Sequence, residues 1–374
     1  MVCLDKFRGS LSAADAGAAL ARGLRRGRPG LEVVVLPVAD GGEGTVAAVL
    51  DAGATAVSCR VTGPLGQKVD AVLAVRGDRA VVELAQASGL HLLDEPAPLA
   101  ASTYGTGELI RAALDRGART LVLAVGGSAT TDGGAGLLAA LGARLLDGRG
   151  EQLPPGGAAL RDLADVDLGG LDPRLAGCSV VLASDVDNPL LGPSGAAAVF
   201  APQKGADADG VAQLEAGLAR WADRVAAATG RDLSGAAGAG AAGGTGFAAL
   251  AVLGARRRPG IDVVLDEIDA DRYLATAGLV IVGEGRLDAQ TLRGKAPVGV
   301  AARTPAGVPV VAVSGDCTVA EGALRAAGIS GSWTILAEAG GDLARAMSEA
   351  GPLLEQVGRR LAEHWLRPER TSQR

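Results

Sequence analysis

The chain has 374 residues, 36 Lys and Arg against 42 Asp and Glu, and a formal net charge of −6. This length exceeds one typical core and predicts two domains, and the acidic balance argues against a nucleic-acid surface, which normally shows as a basic patch or stripe. Hydrophobic residues make up 48% and aromatics only 2%, which predicts a core of small aliphatic side chains. No apolar run approaches membrane-spanning length and the amino terminus lacks a leader pattern, so a soluble, cytoplasmic protein without a membrane partner is expected.

Helical periodicity alternates along the chain with short β-branched runs, the pattern of an α/β fold with a largely parallel sheet. Ser12 to Gly27 is predicted as a helix capped by Ser12 or Ser10, with Ala16, Ala19, Leu20 and Leu24 on one face. Leu31 to Val38 reads as a strand that delivers Asp40, Gly41, Gly42, Glu43 and Gly44, and a helix starts at Thr45. Ala71 to Val75 and Arg79 to Leu84 form a hairpin turning at Gly77-Asp78. A helix over Gly105 to Arg116 leads to a strand over Thr120 to Val125, then to GGSATTDGG and a helix over Ala135 to Leu141. Next come a strand over Ser179 to Ala183, a helix over Gln213 to Thr229, a packed glycine-rich turn over Ser234 to Gly246 and a helix over Gly246 to Gly254. Strands follow over Gly278 to Val282, Val308 to Val313 and Ser332 to Leu336, then helices over Leu343 to Ala350 and Leu353 to Trp365, with Arg367 to Arg374 as a disordered tail. The arginine runs Arg22 to Arg28 and Arg256 to Arg258 are read as solvated helix ends, and the scattered Cys3, Cys59, Cys178 and Cys317 suggest neither a disulfide framework nor a zinc site.

Five polar, glycine-containing segments flank apolar runs: Asp5 to Ser10, Ala39 to Thr45, Gly126 to Gly134, Ser184 to Gly205 and Gly283 to Lys295. Strand ends of open α/β sheets leave a crevice lined by such loops, and glycine lets backbone N–H groups approach an anion. GGSATTDGG is the best phosphate cradle on this logic, with Ser128, Thr130 and Thr131 adding hydroxyls. Lys295 is one of only four lysines in a chain where arginine is the usual cation, and a compact ammonium suits a point contact to phosphate. Asp40, Glu43, Asp185, Asp187 and Asp288 are candidate oxygen ligands or outer partners of Mg²⁺, and one of them, or Asp5, is a candidate proton acceptor for an attacking hydroxyl. Neither a Walker A motif nor a strict GxGxxG is present, and His91 and His364 lie outside every cluster.

The series DKFRGSLSA, PVADGGEGT, VGGSATTDGGAGLLAALGA, SDVDNPLLGPSGAAAVFAPQKGA, GTGFAALAVLGA with PGIDVVL, and GEGRLDAQTLRGKAPVGVA runs in this order from Asp5 to Ala302. It resembles the bacterial glycerate kinase family of glycerate and glyoxylate metabolism. The resemblance implies ATP- and Mg²⁺-dependent phosphorylation of D-glycerate, with 2-phosphoglycerate favoured over 3-phosphoglycerate, by two α/β domains outside the P-loop and sugar-kinase architectures. A kinase of another small hydroxy acid and a non-catalytic nucleotide or metabolite sensor are the competing readings. Family positions carry over to Asp5, Arg8, Ser10, Asp40, Glu43, Ser128, Thr130, Asp132, Asp187, Asn188, Lys204, Glu284, Asp288 and Lys295. Two departures stand out: the family's first strand runs several residues before its Asp, where only Met1 to Leu4 precede Asp5, and Arg8 stands where lysine is common.

On this basis Asp187, Lys295 and Asp288 are expected to be catalytic, with Asp187 as the proton acceptor. Asp5, Arg8, Ser10, Asp40 and Glu43 are expected to bind the substrate, its carboxylate held by Arg8 or Lys295 with amides of the Asp40 to Gly44 turn. Gly127, Ser128, Thr130, Thr131, Asp132, Lys204 and Glu284 are expected to hold the nucleotide, and Asp40, Asp185 and Asp187 the metal. One lobe, Rossmann-like or flavodoxin-like with a parallel sheet, is predicted from residues 1–63 plus 281–374. A mixed α/β domain is inserted as residues 64–280, with a cleft between them. The oligomeric state, monomer or homodimer, is left open.

Overall fold

The computed structural model describes residues 1–365, so the tail expected over Arg367 to Arg374 lies outside the described residues. The chain divides into two compact units, one of Met1–Asp40 with the chain from Ile261 onward and the other of Gly41–Gly260. These boundaries differ from the predicted 63/64 and 280/281. The reason is hydrogen bonding: Thr55–Thr62 is a strand with no sequence-level expectation, and it pairs along its length with Lys68–Arg76, which ties residues 41–63 to the second unit.

The first unit is built on a four-stranded parallel sheet in the order Val2–Leu4, Val280–Gly283, Val310–Ser314, Gly331–Thr334. Strands buried on both faces read as continuous apolar runs, as VIVG and VVAVS do here. Three residues suffice for the first strand, because Val2, Cys3 and Leu4 pair in register with Ile281, Val282 and Gly283. The predicted Leu31 to Val38 strand is reduced to a bridge between Val35 and Val2. Its chain still runs beside the first strand, Leu36 N–H donating to Val2 O and Val38 N–H to Leu4 O. Helices Ala13–Gly27, capped by Ser12, and Ala350–Trp365 carry Leu20, Leu24, Leu353, Val357 and Leu361 into the aliphatic core over this sheet. The strand predicted over Ser332 to Leu336 stops at Thr334, whose hydroxyl caps the Ile335–Glu338 helix.

The second unit holds a six-stranded mixed sheet in the order Thr55–Thr62, Lys68–Arg76, Arg79–Glu83, Thr120–Ala124, Ser179–Ala183, Arg256–Arg258. The first three strands are antiparallel and the last three join in parallel. The arginine run at 256–258 is therefore an edge strand, not a helix end. Charged side chains are a common way to blunt an exposed sheet edge, and Arg257 also donates to the carbonyls of Ser184 and Val186. Trp221 and Phe247, in edge-to-face contact, are the largest side chains of this unit's core among the described residues. No described helix is long and apolar enough to cross a membrane.

Candidate functional site

Two adjacent strand ends of the first unit and the extended chain beside them deliver three carboxylates. Val2–Leu4 ends in Asp5, the chain beside it ends in Asp40, and Val280–Gly283 ends in Glu284. Asp5 and Glu284 are each 8% exposed. Asp5 Oδ1 accepts the Lys6 N–H at 2.6 Å, and its N–H reaches Gly283 O at 2.8 Å, so the short amino-terminal strand still holds it in place. Burial, reinforced by the charge of Asp40, pushes the Asp5 carboxyl up to about 7. Burial likewise raises Glu284, and a hydrogen bond from Thr291 with the charge of Lys295 opposes the rise. Thr291 is buried and donates to Glu284 Oε1 at 2.6 Å, and its oxygen accepts the Asp288 N–H. The Asp288 carboxylate accepts the Gln290 N–H and shapes this turn. Lys295 is half-buried at the N-cap of the Ala296–Arg303 helix. Arg8 is exposed, while the Ser10 hydroxyl donates to Phe7 O within its own turn.

In the second unit the Gly126 to Gly134 turn follows the Thr120–Ala124 strand and is held from several sides. Lys204, 2% exposed, donates through Nζ to Ser128 Oγ at 2.8 Å and to Thr130 O at 2.5 Å. Burial pushes its ammonium down to about 7, against the raising effect of Asp132. Asp132, 1% exposed, accepts four bonds: from Gly134 N–H, Gly136 N–H, and the N–H and hydroxyl of Thr103. Its carboxylate thus fixes the turn and the start of the Tyr104–Asp115 helix. Trp221 Nε1 donates to Gly133 O at 3.0 Å. By contrast, Thr130 Oγ1 and Thr131 Oγ1 are buried and have no hydrogen-bond partner among the described residues. Gly127 is exposed on the same turn, at φ 77°.

The Asp40 to Gly44 turn opens the Thr45–Asp51 helix, and a protein carboxylate already occupies its Gly44 amide. Buried Glu83 accepts N–H bonds from Gly44, at the end of that turn, and from Val46 in the helix. Glu43 is exposed and engaged in an interaction of its own. On the loop after Ser179–Ala183, Asp185 Oδ1 accepts the Gly260 N–H at 2.7 Å and Asn188 Nδ2 donates to Ser194 O. Asp187 is exposed there.

The structure thus gathers Asp5, Arg8, Ser10, Asp40, Glu284, Asp288 and Lys295 in the first unit. Glu43, Gly127, Ser128, Thr130, Thr131, Asp132, Asp185, Asp187 and Lys204 are in the second. Sequence reasoning missed Glu83, Thr103, Trp221, Arg257 and Thr291. Only Thr291 lay inside a recognised motif, three residues beyond Asp288.

The Glycerate kinase family matches residues 1–366 of the chain. A glycerate kinase of Bacillus subtilis (strain 168) is 46% identical over 368 residues, covering 97% of this chain and 96% of the relative. A glycerate 2-kinase of Escherichia coli (strain K12) is 42% identical over 346 residues, 91% of each chain. A crystal structure assigned as glycerate kinase 2 from Salmonella typhimurium LT2 superposes with a TM-score of 0.84 at 41% identity, over 98% of this chain and 97% of that one. The chain is a kinase and belongs to the glycerate kinase family.

Proposed function

We propose that the chain transfers the γ-phosphoryl group of ATP to the 2-hydroxyl of D-glycerate, giving 2-phosphoglycerate. The observation that carries this reading is the Gly126 to Gly134 turn: two buried, unpartnered threonine hydroxyls on a backbone strapped by a buried lysine. Native interiors leave few such groups unpaired, and phosphate oxygens are partners of the right chemistry for hydroxyls and an ammonium. The family match supports glycerate as the acceptor, and the relative named glycerate 2-kinase supports the 2-position.

The first unit then receives the acceptor. Arg8 and Lys295 offer cations to the glycerate carboxylate, and Asp40 and Glu284 hydrogen-bond its hydroxyls. Asp5 takes the proton of the attacking hydroxyl, since a buried carboxyl held near neutrality is a better base at working pH than an ordinary one. This reading moves the proton-acceptor role from Asp187 to Asp5.

Mg²⁺ is usually held by one or two carboxylates together with phosphate oxygens and water. Asp185 and Asp187 fit that pattern: both are exposed oxygen donors two residues apart, with one Asp185 oxygen engaged by Gly260. No group of three acids, histidines or cysteines forms an all-protein cage among the described residues. When bound, the ion would supply neutralisation of the charge on the transferring phosphoryl group.

The test is incubation of the purified chain with ATP, Mg²⁺ and D-glycerate, with the product read by ³¹P NMR. A 2-phosphoglycerate signal is expected. A 3-phosphoglycerate signal would overturn the regiochemistry, and intact ATP beside folded protein would overturn the choice of acceptor.

A further inference from the structure

The backbone packed against the Gly126 to Gly134 turn is unconventional. Ala242, Gly243 and Gly244 are three consecutive left-handed residues, at φ 51°, 65° and 91°. Ala242 is one of two non-glycine residues with positive φ among those described. Side chains of L residues disfavour this region, and such conformations persist where their surroundings over-determine them.

Those surroundings are the phosphate turn itself. Gly133 N–H donates to Gly243 O at 3.0 Å. A Cβ on Gly243 would lie 2.0 Å from Thr130 O and 2.6 Å from Thr131 Cα, so only a glycine allows this approach. A Cβ on Gly244 would lie 2.8 Å from Gly133 Cα. Buried Thr245 pins the run by donating to Ala242 O at 2.9 Å. The Thr130 carbonyl is hemmed in by the Gly243 backbone and by Lys204 Nζ, and that leaves the adjoining hydroxyls of Thr130 and Thr131 little freedom of position.

We propose that Ala242 to Thr245 is the positioning element of the phosphate turn, with Gly243 the residue on which the turn's placement depends. This rests on the reading of that turn as the site of the ATP phosphates. Elements that set phosphate donors to within a fraction of an ångström act on nucleotide binding and on the rate without touching the acceptor.

The test is steady-state kinetics of Gly243→Ala, Thr245→Val and Ser128→Ala, with circular dichroism and thermal unfolding to establish folding. Folded Gly243→Ala is expected to raise KM for ATP about tenfold or more while KM for D-glycerate stays within about twofold. Thr245→Val, which keeps the side-chain shape and loses only the bond to Ala242 O, is expected to raise KM for ATP about threefold. It decides the matter if Gly243→Ala does not fold. An unchanged KM for ATP in the folded variant, or equal changes for both substrates, overturns the positioning role. If Ser128→Ala also leaves KM for ATP unchanged, the phosphate-turn reading itself is overturned, and the inference with it.

Discussion

Replacing Asp5 by Asn should stabilise the ligand-free protein and disable the enzyme at the same time. Asp5 is 8% exposed and its carboxyl is pushed from 3.8 up to about 7, chiefly by burial and then by Asp40. A tenfold change in proton affinity is worth about 1.4 kcal/mol, so the ionised group costs the fold on the order of 4 kcal/mol above neutrality. The sign follows from the folded value lying above the unfolded one: the group's contribution is fully present below 3.8 and is lost as pH rises through about 7. Asn has no charge to bury at any pH, and its Oδ1 keeps the bond from Lys6 N–H. The stability advantage of the variant should therefore widen by about 3 kcal/mol between about pH 5 and about pH 8. Urea unfolding of EDTA-treated protein across that range measures it. Turnover should fall about 100-fold if Asp5 is the proton acceptor. A stability gap that stays constant with pH, or a variant less stable than the parent at pH 8, would refute the burial argument.

Three further outcomes are expected. Asp132→Asn should lower stability by about 1–3 kcal/mol, because an amide NH₂ then faces donors that the carboxylate now satisfies; chemical denaturation checks this. Lys204→Met should raise KM for ATP by about tenfold and destabilise the second unit. The folded value of Lys204 is depressed to about 7 from 10.5, so its contribution is present above 10.5 and lost as pH falls through about 7. The loss of stability in Lys204→Met should accordingly be largest in alkali and smallest near neutrality. Asp187→Asn should raise the Mg²⁺ concentration for half-maximal rate about tenfold with little effect on KM for D-glycerate, read from metal titrations of initial rate.

Much of the site was legible in the sequence because its turns are local. A glycine-rich polar segment directly after an apolar run announces a strand end, and Asp5, Glu284 and the Gly126 to Gly134 turn all stand at or directly after such ends, while Asp40 follows an extended run that makes only a bridge. The helix begun by Ser12 was equally legible, since its cap and its apolar face lie within one window. What the sequence did not show was which partners individual polar groups find. Asp132 has the look of a ligand, yet it is satisfied by Thr103, twenty-nine residues earlier. The Gly44 amide looks free for an anion, yet Glu83, thirty-nine residues later, takes it. The glycine-dense 234–246 stretch was predicted to be a packed turn. What it packs against, Thr130, Thr131 and Gly133, lies more than a hundred positions away.

The sequence by itself determined many of the strands and helices and which loops carry acids, lysines and glycines, because propensity, periodicity and turn chemistry act over a few residues. Only the tertiary structure decided that the units divide at 40/41 and 260/261, that Asp132 and Glu83 are consumed in bracing turns, and that Thr130 and Thr131 keep hydroxyls without a partner. A hydrogen bond or a burial energy depends on what the distant chain brings into contact, and no local window of residues contains that partner.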